Sequence, residues 1–136
     1  MRRILFLLLI ACLPALAQAE EVLAFIASGG LPKTEPSTLQ RLYTGRVVSI
    51  GEHPAIPINY PVGHPLRERF LATIMGQSEE QYTGYWLVRR YVGKGAPPLV
   101  LPDVDAVVAY VLATPGAVGY VPLSKAPPGG NVIFKR

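Results

Sequence analysis

Short apolar runs that stop at glycine or proline alternate with stretches of helical periodicity from residue 22 to residue 134. This alternation constrains the fold most, because a chain that keeps switching between period 2 and period 3.6 must layer helices on a sheet. Residues 22–26 are continuously apolar and end at Ser28-Gly29-Gly30, the pattern of a buried first strand. Thr34-Glu35-Pro36 opens a helix with proline in its first turn, where a missing N–H costs nothing. Leu39, Leu42 and Tyr43 share its apolar face, and Gly45 stands at the C-terminal cap. Residues 47–50 and 56–60 read as strands separated by the turn residues Gly51 and Pro54, with Pro57 pointing to an edge or distorted position.

A second helix starts near Pro65, carries Leu66, Phe70 and Ile74 on one face, and ends at Gly76. Ser78-Glu79-Glu80-Gln81 is a capping box, in which Ser and Gln satisfy each other's free backbone N–H groups. The third helix that it opens bears Tyr82, Tyr85, Trp86 and Arg89 and stops near Gly93. Residues 99–101 form a brief strand after a glycine- and proline-rich loop. Asp103 caps a fourth helix with Val104, Val107, Val108 and Val111 on its apolar face. Thr114-Pro115-Gly116 breaks that helix, residues 117–121 return as a strand, and residues 132–134 form a last short one. The expected class is a mixed α/β domain with helices flanking a mixed sheet.

The N-terminus sets the compartment. Met1-Arg2-Arg3, an apolar run to Leu13, then Pro14 and Ala17-Gln18-Ala19 follow the order of a secretory signal peptide. Residues 1–19 are expected to be removed, leaving 20–136 as one domain in the periplasm. An alternative reads Leu9-Ile10-Ala11-Cys12 as a lipoprotein box that anchors the chain at Cys12. With Cys12 gone, the remainder has no cysteine, so packing alone must hold the domain and thiolate chemistry is excluded. Arg2 and Arg3 supply half of the formal net charge of +4, and no basic run in the remainder is longer than Arg89-Arg90. Nucleic-acid binding, which needs a clustered basic stripe, is not expected.

Four ordered segments carry a resemblance. They are Leu42-Tyr43-Thr44-Gly45-Arg46, then the stretch from Gly63-His64-Pro65-Leu66-Arg67 to Phe70, then Tyr85-Trp86 with Val92-Gly93-Lys94-Gly95, and last Thr114-Pro115-Gly116-Ala117-Val118-Gly119-Tyr120-Val121. In this order the chain resembles the phosphate-type periplasmic substrate-binding proteins of ABC transporters, and more closely the small single-lobe members of that superfamily. The resemblance implies a single-lobe, periplasmic-binding-protein-like domain. It also implies a non-catalytic role in recognising a small anion, with the ligand loop at Gly63-His64-Pro65. Phosphate binders of the family read Asp-Gly-Ser-Gly-Thr-Arg where this chain has Val62-Gly63-His64-Pro65-Leu66-Arg67. Gly63 and Arg67 survive, whereas the hydroxyl donors are replaced by His64 and Leu66.

The residues themselves support that location on physical grounds. A helix N-terminus presents free N–H groups and partial positive charge to an anion. Gly63 would allow close approach, and His64 and Arg67 could add donors. The same residues also fit a plain strand-to-helix turn with Arg67 in solvent. Ser28, at the end of the first strand, is a further ligand-binding candidate, because ligands approach open α/β sheets at strand ends. Trp86, Tyr82 and Tyr85 fit packing against the sheet better than a stacking platform. Glu79 and Glu80 suit the first turn of a helix.

No enzyme is expected. His53 and His64 are the only histidines and form no i, i+4 metal pair. There is no Gly-x-Ser-x-Gly elbow or phosphate-cradling Gly-Lys-Ser/Thr loop. No metal and no cofactor are anticipated. The sequence thus leaves two readings: a solute-binding or sensing module for a small anion, or an interaction module that has lost its ligand and contacts an envelope membrane-protein partner.

Overall fold

The computed structural model describes residues 21–136. The expected signal peptide, its cleavage site and Cys12 lie outside the described residues. The elements are β1 (Leu23–Ala27), α1 (Pro36–Tyr43), β2 (Ser49–Ile50), β3 (His53–Pro54), β4 (Ile56–Asn59), α2 (Pro65–Phe70), α3 (Glu79–Tyr91), β5 (Leu99–Val100), α4 (Val104–Ala113), β6 (Ala117–Pro122) and β7 (Asn131–Lys135). A π-helical turn, Leu71–Met75, continues α2, and a 3₁₀ turn, Leu123–Lys125, follows β6. Gly76 ends the π-helical turn in the left-handed conformation (φ 62°), as a C-terminal glycine should.

The main sheet has the order β5-β4-β6-β1-β7. Strands β5, β4 and β6 run parallel, while β1 is antiparallel to both β6 and β7. The expected mixed sheet is therefore present. Of the strand expected at residues 47–50, Ser49–Ile50 are extended, and they fold back on His53–Pro54 as a separate hairpin around Gly51, whose φ of 58° suits glycine. Pro57 lies in a strand with neighbours on both sides, but β5 pairs only with Ile58 and Asn59. Proline is tolerated because that side of β4 is unpaired at residue 57.

Both faces of the sheet are covered. On one, Phe25, Tyr43, Phe70 and Tyr120 pack ring against ring, with Phe70 stacked on Tyr120 at 4.6 Å and Tyr43 4.7 Å from Phe70. On the other, Gly119 lets α4 approach closely: a Cβ there would come within 2.6 Å of Val107 Cγ1. Val107 and Val111 of α4 are fully buried. The helix-start signals are realised in the geometry. Ser78 and Gln81 form the reciprocal box, Asp103 Oδ1 accepts from the Ala106 N–H at 2.8 Å, and Pro36 starts α1.

Helix α3 closes the end of α1. The C-terminal carbonyls of a helix have no partner within it, and here the aromatic side chains of α3 supply one. Tyr82 and Trp86 donate to the Tyr43 carbonyl at 2.7 and 3.3 Å, Tyr85 donates to Thr44 at 2.6 Å, and Arg89 donates to Gly45 at 3.2 Å. Gly45 has a φ of 69°, and a Cβ on it would meet Trp86 at 2.8 Å. Trp86 is thus a packing residue, as expected, but it seals the end of α1.

Candidate functional site

The loop between β4 and α2 is where the sequence put the anion. Gly63 takes a φ of 86° with open space where a Cβ would lie, so the backbone turn, not crowding, demands glycine. His64 is the N-cap of α2 and accepts the Leu66 N–H on Nδ1 at 3.1 Å. Its ring stacks on Tyr60 at 4.4 Å. Pro65 has no N–H, and Leu66 gives its own to His64, so the first turn offers an anion fewer donors than a helix start usually does.

Arg67 does not point into solvent. It is 7% exposed and forms a bidentate pair with Glu79 at the start of α3, Nε to Oε1 at 2.6 Å and Nη2 to Oε2 at 2.8 Å. Its third nitrogen donates to the Tyr60 carbonyl at 3.0 Å. Burial pushes the Glu79 carboxyl up, but hydrogen bonds from Arg67 and Thr83 and the guanidinium charge outweigh it, leaving the group below its ordinary value. The pair ties α2 to α3. A plain turn with a solvated Arg67 is therefore corrected: every nitrogen of the guanidinium already has a partner, and its charge is balanced.

Ser28 lies elsewhere. Because β1 runs antiparallel to β6 while β4 runs parallel to it, Ala27 and Pro57 both sit beside Val118. Ser28 thus follows β1 at the entrance of β4, whereas Gly63 follows β4 at its exit. Its hydroxyl donates to the carbonyls of Val111 at 2.6 Å and Thr114 at 3.0 Å, closing the end of α4. Ser28 and the Gly63–Arg67 loop do not form one site. The sequence could show that both follow strands, but not that the strands point in opposite directions.

Arg67 does line a groove. A cavity of about 200 Å³ opens between the end of β4, the outer side of α3 and β5, with the buried Asn59, Arg67, Tyr82 and Trp86 on its floor. Val62, Leu87 and Val100, all well exposed, form its rim. Burial pushes the Tyr82 phenol up to about 12, tempered by Trp86, Arg67 and Asn59, so the floor stays neutral apart from Arg67. Sequence reading did not single out Asn59. Its only signal was an amide directly after the apolar positions of a strand and just before a glycine loop. Among the described residues, no group of three or more His, Cys, Asp or Glu side chains could hold a metal ion.

No protein-family sequence model matches the chain, and no curated protein matches it in sequence. Solved structures do match. The chain is similar to an ABC-type phosphate transport receptor from Vibrio cholerae, with a TM-score of 0.65 and 16% identity over 83% of this chain and 45% of that one. It is also similar to PstS from Borrelia burgdorferi, with a TM-score of 0.63 and 14% identity over 83% of this chain and 46% of that one. The chain spans a little under half the length of these structures. The fold is that of a periplasmic-binding-protein-like α/β domain. The likeness fits a small member of that structural class and agrees with the resemblance carried by the four sequence segments.

Proposed function

We propose that this chain is an exported, non-catalytic recognition module of the substrate-binding-protein type, working in the periplasm, in which the Gly63–Arg67 loop is not a tight phosphate grip. The observation that carries this reading is the engagement of Arg67 by Glu79 and by the Tyr60 carbonyl. The nearby helix start gives its Leu66 N–H to His64 and has none at Pro65, and the family's hydroxyl donors are missing. Each charge-assisted hydrogen bond forgone removes roughly 1.5–3 kcal/mol, and about 1.4 kcal/mol is tenfold in affinity. Any phosphate held here would therefore bind far more weakly than in a receptor that keeps those donors. Thermal shift of the purified protein against phosphate, sulfate and small carboxylates tests the reading. A ligand at ~100 Kd adds ~2.7 kcal/mol to a protein that binds it only when folded, so a clear shift with micromolar phosphate would refute it.

The second reading, contact with an envelope partner, draws support from the exposed apolar residues at the C-terminal end of α3. Leu87, Val88 and Tyr91 are 62%, 64% and 92% exposed. Cross-linking in cells from a photoreactive residue at position 91 tests it: a discrete adduct is expected under this reading and none under a purely solute-binding one.

A further inference from the structure

The floor of the groove between β4, α3 and β5 contains a buried hydrogen-bond donor that makes no hydrogen bond. Asn59 is 1% exposed, and its side-chain nitrogen has no hydrogen-bond partner. The orientation of the amide is fixed by its oxygen. That oxygen accepts the Tyr60 N–H at 2.9 Å, a group that can only donate, and also takes the Tyr120 hydroxyl. Turning the amide over would set two donors face to face, so the nitrogen must lie on the side that lacks a partner. The Tyr82 oxygen lies near this amide and, with its own proton given to the Tyr43 carbonyl, keeps lone pairs toward it, yet no contact of hydrogen-bond geometry forms with the amide nitrogen. One phenol oxygen can meet at most one of the two amide N–H groups, and a buried donor left unmet is unfavourable.

The surroundings say what would meet it. The floor beside Asn59 is Tyr82 and Trp86, and the rim includes Val62, Leu87 and Val100, so the body of a ligand would be apolar. Arg67 and Arg90 both line the groove, and Glu79 balances Arg67, which leaves one net positive charge facing the space. We propose that this groove binds a compact apolar monoanion, a branched or aromatic carboxylate, with a carboxylate oxygen accepting from the Asn59 amide, the apolar body over Trp86 and the remaining charge facing Arg90. The proposal rests on the reading of the chain as a recognition module and gives it a site other than the Gly63 loop. A phosphate dianion fits poorly, having no apolar body and one charge too many.

The test is a titration of the ¹⁵N-labelled protein with sodium 4-methylpentanoate and, separately, with inorganic phosphate, following the Asn59 side-chain amide and Trp86 indole signals by NMR. The carboxylate should shift both signals saturably, and phosphate should shift neither. Leu87→Glu places a negative charge on the exposed rim without touching the core and should weaken binding by about tenfold, as expected for repulsion of a monoanion at a partly desolvated site. Arg90→Gln should weaken it several-fold. An absent or unsaturable response at Asn59 and Trp86, or one indifferent to Leu87→Glu, would overturn the groove proposal. Saturable shifts of the Gly63 and His64 amides with phosphate would instead overturn the reading of the loop as no phosphate grip, so the two failures are distinguishable.

Discussion

The loop after β4 and the groove beside it begin within a few residues of each other and meet opposite fates. At the loop, the strongest features that would draw an anion are engaged from within: His64 takes the Leu66 N–H, Pro65 has none, and Glu79 holds Arg67. In the groove, the Asn59 amide is held firmly by its oxygen and left unmet at its nitrogen. A site is thus recognised by what its polar groups still lack, not by which residue types it contains. Arginine beside a glycine loop looked like a ligand in sequence and is a strut in the fold. An asparagine that drew no attention has capacity to spare.

The largest effect is expected at Trp86, which is both floor of the groove and seal of α1. Trp86→Ala should cost about 3–5 kcal/mol, as for other buried tryptophans, read as a large drop in the midpoint of denaturant unfolding. An unchanged midpoint would mean that the indole does not bear on α1. Arg67→Ala comes next. It leaves Glu79 partly buried without its cation; breaking a fully buried pair costs 3–5 kcal/mol, and because Glu79 keeps some solvent contact about 2–3 kcal/mol is expected here. If Arg67 were a free anion ligand instead, the same substitution would leave stability nearly intact.

Acid sharpens the same contrast. The Glu79 carboxyl lies below its ordinary value in the folded protein, so in the acid range the unfolded chain binds the extra proton. The contribution of the pair is therefore complete above the ordinary carboxylate value of 4.5 and is lost as pH falls below it toward the folded value. Denaturation midpoints across that range should fall more steeply for the native protein than for Glu79→Gln. Equal slopes would show that the ion pair carries no pH-dependent stability. The smallest effect is at the cap. His64→Ala should cost about 1 kcal/mol, in the range of lost N-caps, while His64→Asn, which can accept the same N–H, should cost only a fraction of that. A His64→Asn protein as unstable as His64→Ala would point to the stack on Tyr60, not the cap, as the contribution of the imidazole.

Much of the fold was legible because its signals are local. Ser78 and Gln81 announce α3, Asp103 announces α4, Pro36 and Pro65 mark helix starts, and Gly45 and Gly76 mark ends, since capping is decided by residues within one turn of one another. The α/β class followed from the change of period along the chain. Three things did not. The pairing of Ser49–Ile50 with His53–Pro54 apart from the main sheet was not legible, because a short strand's partner is not written in the strand. The separation of Ser28 from Gly63 depends on the direction of β1, which sequence spacing does not carry. The state of Arg67 and Asn59 depends on groups brought in from elsewhere, Glu79 from the next helix and the Tyr120 hydroxyl from β6. The helices, their caps and the layered class follow from backbone groups satisfied nearby, so local residues suffice to read them. Which side chains keep an unmet hydrogen bond is settled where distant segments meet, because burial and pairing depend on both partners.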